Sequence, residues 1–404
     1  MRSLLACCPF AVAAVALPAQ ATHLVGPGGF AQIRDALAVA AAGDRIHVQP
    51  GTYAHFTATI GCTIRALVPG SVSVAYDVAF QPPGCTTNPG CWSVEGPTRL
   101  SPPAGQTIDV VGLRFVGNES PGGFLYPIRH RVAVESGRVT FDQCNLQASN
   151  TAALAVLDAS VHLQACQITV LPAASTSPAG GVGLYGANCN VTAIDCTITG
   201  GFGPGLSIPP GDGIVLDNAT LHGSGLVIRS GTVLFPPSTN AAYALRGSGA
   251  LFLSDSQLIG GCPIDWGGTA SELSRCTLTG TNTNCPTVAP SPATQLGIAR
   301  SGPLTPGATF TLTFRGEPNA FVAIFAAASL GRVDLPGLLA QPSWLDSTQS
   351  FLMSIVLADA QGVATASWLI PAGPGVADQQ VWWKGLSGFT LPFQVSPPAG
   401  GITR

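Results

Sequence analysis

Charge is scarce in this sequence. Asp, Glu, Lys and Arg together make up 9% of 404 residues, against roughly a quarter in ordinary soluble domains, so little of the chain reads as solvated helix. The formal charge is −3, with no basic run, and loss of a leader carrying Arg2 would take it from −3 to −4. Without a basic patch there is nothing to draw in nucleic acid or an anionic membrane, and both are set aside as partners. The sequence has no C-x-x-C pair and its six His are scattered. That removes the ligand spacing of a structural zinc site; no metal and no cofactor is expected. Beyond the first 21 residues no uninterrupted apolar run reaches the ~20 residues that a membrane helix needs.

Gly, Pro and Cys are what the sequence has instead, at 49, 34 and 12 residues. Met1 and Arg2, the apolar run from Leu4 to Leu17 and the ending Ala19-Gln20-Ala21 read as a signal peptide, 1–21, with an A-x-A cleavage site. The expectation is a secreted or surface-retained protein whose mature chain starts at Thr22. Setting aside Cys7 and Cys8 leaves ten of the 12 cysteines, an even number in an oxidising compartment. Cys85 and Cys91 bracket a Pro/Gly turn in CTTNPGC and form the best local pair; Cys262 with Cys285, flanking one repeat, is a second expectation.

A repeat organises the middle of the chain. VTFDQCNL from Val139, VHLQACQI from Val161, VTAIDCTI from Val191, LHGSGLVI from Leu221, LFLSDSQL from Leu251 and SELSRCTL from Ser271 superpose, at spacings of 22, 30, 30, 30 and 20 residues. In each unit the first and third residues are mostly apolar and two mostly polar residues follow. The alternation then resumes one place out of phase on the sixth and eighth. Period two means strand, and the slip means a corner between two strands. Cys144, Cys166, Cys196, Leu226, Ser256 and Cys276 therefore form one inward column, and Asp195 is an outward corner residue rather than a reactive partner of Cys196. Adjacent coils would lie within disulfide reach, so a Cys144–Cys166 bond is allowed but not required. A further short strand precedes each unit. Three strands per turn of about 20 residues, none able to bury its face alone, predict a right-handed parallel β-helix.

The start of the chain agrees. Gly28 to Tyr53, GGFAQIRDALAVAAAGDRIHVQPGTY, resembles the N-terminal cap of bacterial secreted β-helix proteins of the pectate-lyase-like superfamily. The shared features are an amphipathic helix on Phe30, Ile33 and Leu37, a Gly-Asp stop at Gly43, a strand through Ile46 and Val48, and then PGTY. The resemblance implies the fold and no particular reaction. After TNCPTVAPSPATQ the repeat gives way to longer strands: TFTLTF, FLMSIVL, VATASWLI, VWWKG and FTLPFQV. This part resembles a small β-sandwich found at the C-terminus of many secreted bacterial proteins, with Asp359, Gly362, Ala364 and LIPAGP as divergent matches to its motif. The expected fold is all-β: a β-helix over 22–286 with an N-terminal helical cap, a linker over 287–294, and a small β-sandwich over 295–404.

Site signals are weaker. The calcium-binding acids of pectate lyases and the clustered aspartates of polygalacturonases, which the resemblance would imply, are both missing. The nearest approach is GDGIVLDN, Gly211 to Asn218, with Asp212 and Asp217, followed by His222. Two carboxyls about 5 to 9.5 Å apart would suit glycoside hydrolysis, but a Gly-Asp-Gly run also suits a tight turn. The insertions from Leu171 to Gly181, Thr199 to Gly213 and Arg229 to Ala242 all follow the same strand. They should stack along one edge, with Phe202, Phe235 and Tyr243 beside them, as a surface for an extended polymer. Trp382 and Trp383 are adjacent in a strand and face opposite sides, so one is core and the other is either covered or an exposed sugar platform. The reading is a non-catalytic protein for polysaccharide binding or attachment to a cell-surface glycan. The alternative is a polysaccharide lyase or glycoside hydrolase with an unrecognised site. The last coil is weakly apolar, so the sandwich is expected to dock over that end, with Cys262 and Cys285 closing the junction.

Overall fold

A computed structural model describes residues 20–75, 98–116, 130–149, 151–171, 181–202, 210–232, 242–268, 270–280, 285, 295–302, 304–373, 376 and 379–403. The strands from Thr22 to Gly280 pair in parallel and wind into a right-handed β-helix. Three strand columns form its faces. The second column carries the repeat, and its register is the one the alternation predicts: Val139, Val161, Val191, Leu221, Leu251 and Ser271 are successive partners. The preceding strands, such as Ala152–Leu157 and Leu184–Ala187, stack as the first column. Strands such as Gln167–Leu171 and Thr197–Thr199 stack as the third.

The phase slip has a backbone cause. Gln143, Ala165, Asp195, Asp255 and Arg275 have φ between 50° and 54°, and Gly112 and Gly225 take the same left-handed conformation in their coils. One such residue per coil turns the chain from the second sheet to the third. The inter-coil ladder runs through the corner without a break, with Ala165 N donating to Ile194 O over 2.9 Å and Asp195 N to Ser224 O over 3.0 Å. Those bonds hold non-glycine residues in a conformation that costs on the order of 1 kcal/mol each. Cys144, Cys166, Cys196 and Leu226 follow the corner and are buried in the continuous core, while Cys276 in the last coil is half-buried. Burial raises the Cys144 and Cys196 thiols well above their ordinary range. Phe56, Phe115 and Phe141 run through the core with centroids 6.5 Å apart.

The helix Ile33–Leu37 covers the first coil with Ile33 and Ala36 buried and Phe30 and Leu37 packed against the core. Asp44 fixes its exit by accepting from Ala41 N, Ala21 N and the His23 ring. Cys262 and Cys285 are disulfide-bonded, tying the chain beyond the last strand back to Cys262–Trp266. Cys85, Cys91 and the expected linker 287–294 lie outside the described residues, as does 1–19 of the expected signal peptide.

The C-terminal part is a sandwich of antiparallel sheets. One has three strands, Gly297–Ser301, Thr309–Arg315 and Val363–Leu369. The other has five: Phe351–Leu357, Phe321–Ala327, Gln380–Ser387, Gln394–Val395 and Ala399–Ile402. Leu312, Phe314, Ile324, Phe310 and Trp383 fill the space between them. The Asp359 motif is a turn device. Its carboxylate accepts Gln361 N over 2.9 Å and Val363 N over 2.8 Å, Gly362 has φ +78°, and Ala364 is buried.

The sandwich does not cap the last coil, which corrects the expected docking. It lies along the flank of the β-helix, against the outward side of the second sheet. Arg138 reaches Leu330 O, Arg332 reaches Asn190, Ile298 N donates to Ser224 Oγ, Gln341 reaches Glu272, and Arg275 donates to Gln295 O and Arg315 O. The contacts thus span the coils from Arg138 to Arg275, and only the last of them touch the terminal coil. The physical reason lies in the strand chemistry. Thr140, His162, Thr192, His222 and Phe252 occupy successive outward positions of one column, and all five are buried. None of the five carries a fixed charge, and the charges that the sandwich covers beside them are paired or held neutral: Arg300 faces Asp142 at 3.9 Å, and burial raises Asp109 to about 7.

Candidate functional site

The residues that chemistry would need are distributed around the coil rather than gathered. Asp212 sits in the turn entering the first sheet, where it is buried. Its Oδ1 accepts Tyr243 N over 2.7 Å, and its Oδ2 pairs with Arg246 over 2.8 Å. Burial raises its carboxyl, opposed by those two partners. Asp217 lies at the next corner, where the long strand Ile214–Ser224 shifts register. It is exposed and accepts Ser248 Oγ over 3.0 Å, beside Asn218 with φ 48°.

His222 lies on the second sheet, fully buried under the sandwich. Its Nδ1 accepts the indole N–H of Trp344 over 3.1 Å, and Phe252 packs edge-on to the ring at 5.7 Å. Indole nitrogen only donates, so the ring is the neutral tautomer with its proton on Nε2. Burial holds it down at about 3. An imidazole that is neutral, sealed and already accepting at Nδ1 cannot relay protons to a substrate. The trio of Asp212, Asp217 and His222 does not form a common site.

The two tryptophans take the covered alternative of the two left open for them. Trp382 is 0% exposed and Trp383 is 3% exposed, so neither offers a free ring for sugar stacking. Trp383 packs on Phe310 in the sandwich core at 4.4 Å, while Trp382 meets His162 of the β-helix edge-on at 4.6 Å. Alternation places them on opposite faces; both faces are covered. His162 Nδ1 is bonded to Thr192 Oγ1 over 2.7 Å, and burial with the nearby charge of Arg300 lowers the ring to about 3.

Lys384 and Ser343 form a pair that the sequence does not reveal. The Lys384 amine, pushed down to about 8 by burial, donates to Ser343 Oγ and lies 5.9 Å from the Phe325 ring centroid. A serine beside a lysine is a nucleophile arrangement on other scaffolds. Here both side chains are buried, and the pair ties the hairpin strand Ser343–Leu345 to the strand Gln380–Ser387. Only the juxtaposition of two strands 41 residues apart brings it about, so no local motif could have marked it.

The loop edge remains. Phe202 and Tyr243 are half-buried, and the Arg246 guanidinium lies 5.7 Å from the Tyr243 ring centroid; Phe235 is outside the described residues. The bases of the insertions are held by a glycine ladder. Gly201 N donates to Gly181 O over 2.7 Å, Gly211 N to Gly201 O over 2.8 Å, and Gly231 N to Gly211 O over 2.8 Å. A Cβ on Gly231 would stand 1.7 Å from Gly201 O, and one on Gly181 2.3 Å from Thr151 O. The insertions therefore leave the rod at one edge, between the third sheet and the first. That edge lies across the coil from the second sheet, which the sandwich covers.

No protein-family model matches the chain, and no curated protein matches it. Among solved structures the chain is similar to the enzymatically active domain of Bacteriophage CBA120 tailspike protein 4, at 12% identity and TM-score 0.29, over 92% of this chain and 65% of that one. It is also similar to the enzymatically active domain of tailspike protein 2 of the same phage, at 8% identity and TM-score 0.27, over 95% of this chain and 71% of that one. The chain thus spans about two thirds of the length of the first.

Proposed function

We propose that this protein is an exported, non-catalytic β-helix whose loop-bearing edge binds an extended polymer, with polysaccharide as the favoured class. The sandwich serves as a second layer on the opposite flank. The observation that carries the reading is the glycine ladder at Gly181, Gly201, Gly211 and Gly231, which sets successive insertions in one row. A row repeated about every 4.8 Å along a rigid solenoid presents similar chemistry to successive units of a chain-like ligand. The low charge of 9% favours a hydroxyl-rich neutral polymer over a polyanion. Export is supported by the leader-like first 21 residues and by the resemblance of the capped β-helix to secreted bacterial proteins.

Asp212, His222, Ser343 and Lys384 each make contacts that hold the fold together, which supports binding over catalysis. The test is a panel of neutral and acidic polysaccharides offered to the purified protein, with binding and chain cleavage scored separately. The reading expects retention by at least one neutral polymer with no new chain ends. Depolymerisation of any of them, or no binding across the panel, would overturn it.

A further inference from the structure

The sandwich does not close the whole of the outward column that it covers. Arg45, Thr63, Asp109 and Thr140 are successive partners along that column, which continues through His162, Thr192 and His222. Ile46 and Ile64 beside them point inward, so alternation turns Arg45 and Thr63 away from the core. From Thr140 onward the column is buried. Toward Arg45 the two layers part and leave a pocket of about 290 Å³, with the buried Asp109 where the seam begins. Arg45, Thr63, Gln106 and Asp109 line it from the β-helix, and Gln379 and Gln380 from the sandwich. The exposed Gln20 also touches it, but belongs to the expected leader and would leave with it.

Two groups in this pocket have bonding capacity to spare. Among the described residues the half-buried Arg45 guanidinium makes no ion pair or hydrogen bond. Asp109 is 6% exposed, and its Oδ1 lacks a hydrogen-bond partner. Burial pushes that carboxyl up to about 7, with Thr140 and Gln380 pulling back. Below that pH it is an uncharged donor and acceptor.

These groups select a ligand chemistry. A guanidinium without a counter-ion draws a single negative charge, and its planar fork fits a carboxylate through two parallel bonds. Thr63 and the three glutamines each donate and accept, as a ligand rich in hydroxyls requires. No aromatic or large aliphatic side chain among the described residues lines the pocket, which excludes a ligand held by apolar contact. The volume lies at the lower end of small-molecule sites, so it suits one sugar-sized unit rather than a length of polymer.

We propose that this pocket binds a small hydroxylated monocarboxylate of the sugar-acid class, its carboxylate on Arg45 and its hydroxyls on Thr63, Asp109 and the glutamines. Arg45 and Asp109 stand two coils apart, roughly 10 Å between backbones, and a ligand of this size touches both. The site does not rest on polymer binding, because the glycine ladder leaves the coil from a different edge.

Isothermal titration of the chain from Thr22, at about pH 6, tests it with glucuronate, galacturonate, gluconate, glucose and inorganic phosphate as probes. At least one of the sugar acids should bind with a dissociation constant of about 1 mM or below, and glucose and phosphate at least tenfold more weakly. Arg45→Met keeps the aliphatic stem but removes the charge, and should weaken sugar-acid binding at least tenfold with an unchanged near-ultraviolet circular dichroism spectrum. Should that variant fail to fold, the wild-type panel decides alone. No binding by any of the acids at about 10 mM, glucose or phosphate binding as well as the acids, or a folded Arg45→Met protein that titrates like the wild type would each overturn the proposal.

Discussion

The indole N–H of Trp344 donates to Nδ1 of His222 over 3.1 Å, across 122 residues of sequence. This bond joins the hairpin of the sandwich to the second sheet of the β-helix, where burial holds the histidine neutral. Trp344→Phe keeps most of the packing volume but leaves a buried acceptor unpaired, at a cost of about 1–3 kcal/mol. Urea unfolding should show that loss while polymer binding stays as in the wild type. A loss below about 0.5 kcal/mol would mean that water reaches the ring.

Acid should act on the same seam through two opposing sets of groups. His162 and His222 are each lowered to about 3 by burial, whereas the unfolded chain protonates them near 6.5. As pH falls below 6.5 the unfolded state takes up two protons that the native state refuses. Stability therefore falls by about 1.4 kcal/mol per pH unit for each histidine. Asp109 works in the other direction. Burial pushes it up to about 7, with Thr140 and Gln380 pulling back, so between about 3.8 and 7 the native state holds a proton that the unfolded state releases. Asp109→Asn removes that compensation. The slope of stability against pH between 6.5 and 4.5 should steepen by about 1.4 kcal/mol per unit, and an unchanged slope would mean an ionised, hydrated carboxylate.

Thiol accessibility reports the inward column. Cys144, Cys166 and Cys196 are buried, while Cys276 in the last coil is half-buried. A bulky maleimide added to native protein should label Cys276 first and the other three only as fast as the chain unfolds. Rapid labelling of Cys196 would show that the corner at Asp195 is misplaced.

The disulfide should stabilise the end of the solenoid. Cys262 and Cys285 are 23 residues apart, and closing a loop of that size constrains the unfolded chain by about 3 kcal/mol. Cys285→Ser should lower the unfolding free energy by that amount, read from urea denaturation. Hydrogen exchange should show the greatest loss of protection in Cys262–Trp266 and Thr277–Gly280.

The solenoid was legible because every coil repeats the same apolar alternation and the same left-handed corner. The coil made by Thr107–Val111 and Leu113–Val116 escapes that alignment, since Leu113 stands where the other coils mostly have Cys. The seam was not legible. Under a two-residue period Thr140, His162, Thr192 and His222 read as water-facing, and the missing charge that marks a covered face is hidden in a chain with little charge anywhere. The same blindness affects Trp382, Trp383 and the trio Asp212, Asp217 and His222. Alternation assigns each a side of a strand, but what covers that side is decided by residues distant in sequence, as Trp344 is from His222 and His162 from Trp382. Of the candidate site, only the common edge of the insertions could be read directly, because their starting points recur at fixed places in the repeat.

The covered flank is the central claim, and the imidazole titrations of His162 and His222 test it most directly. Proton–nitrogen correlation spectra of labelled protein, collected from pH 8 to pH 5, should show both rings neutral throughout, with the Nε2 proton of His222 protected from solvent exchange. If instead either ring titrates near 6.5 in the folded protein, water has access to the second sheet and the sandwich does not seal that flank.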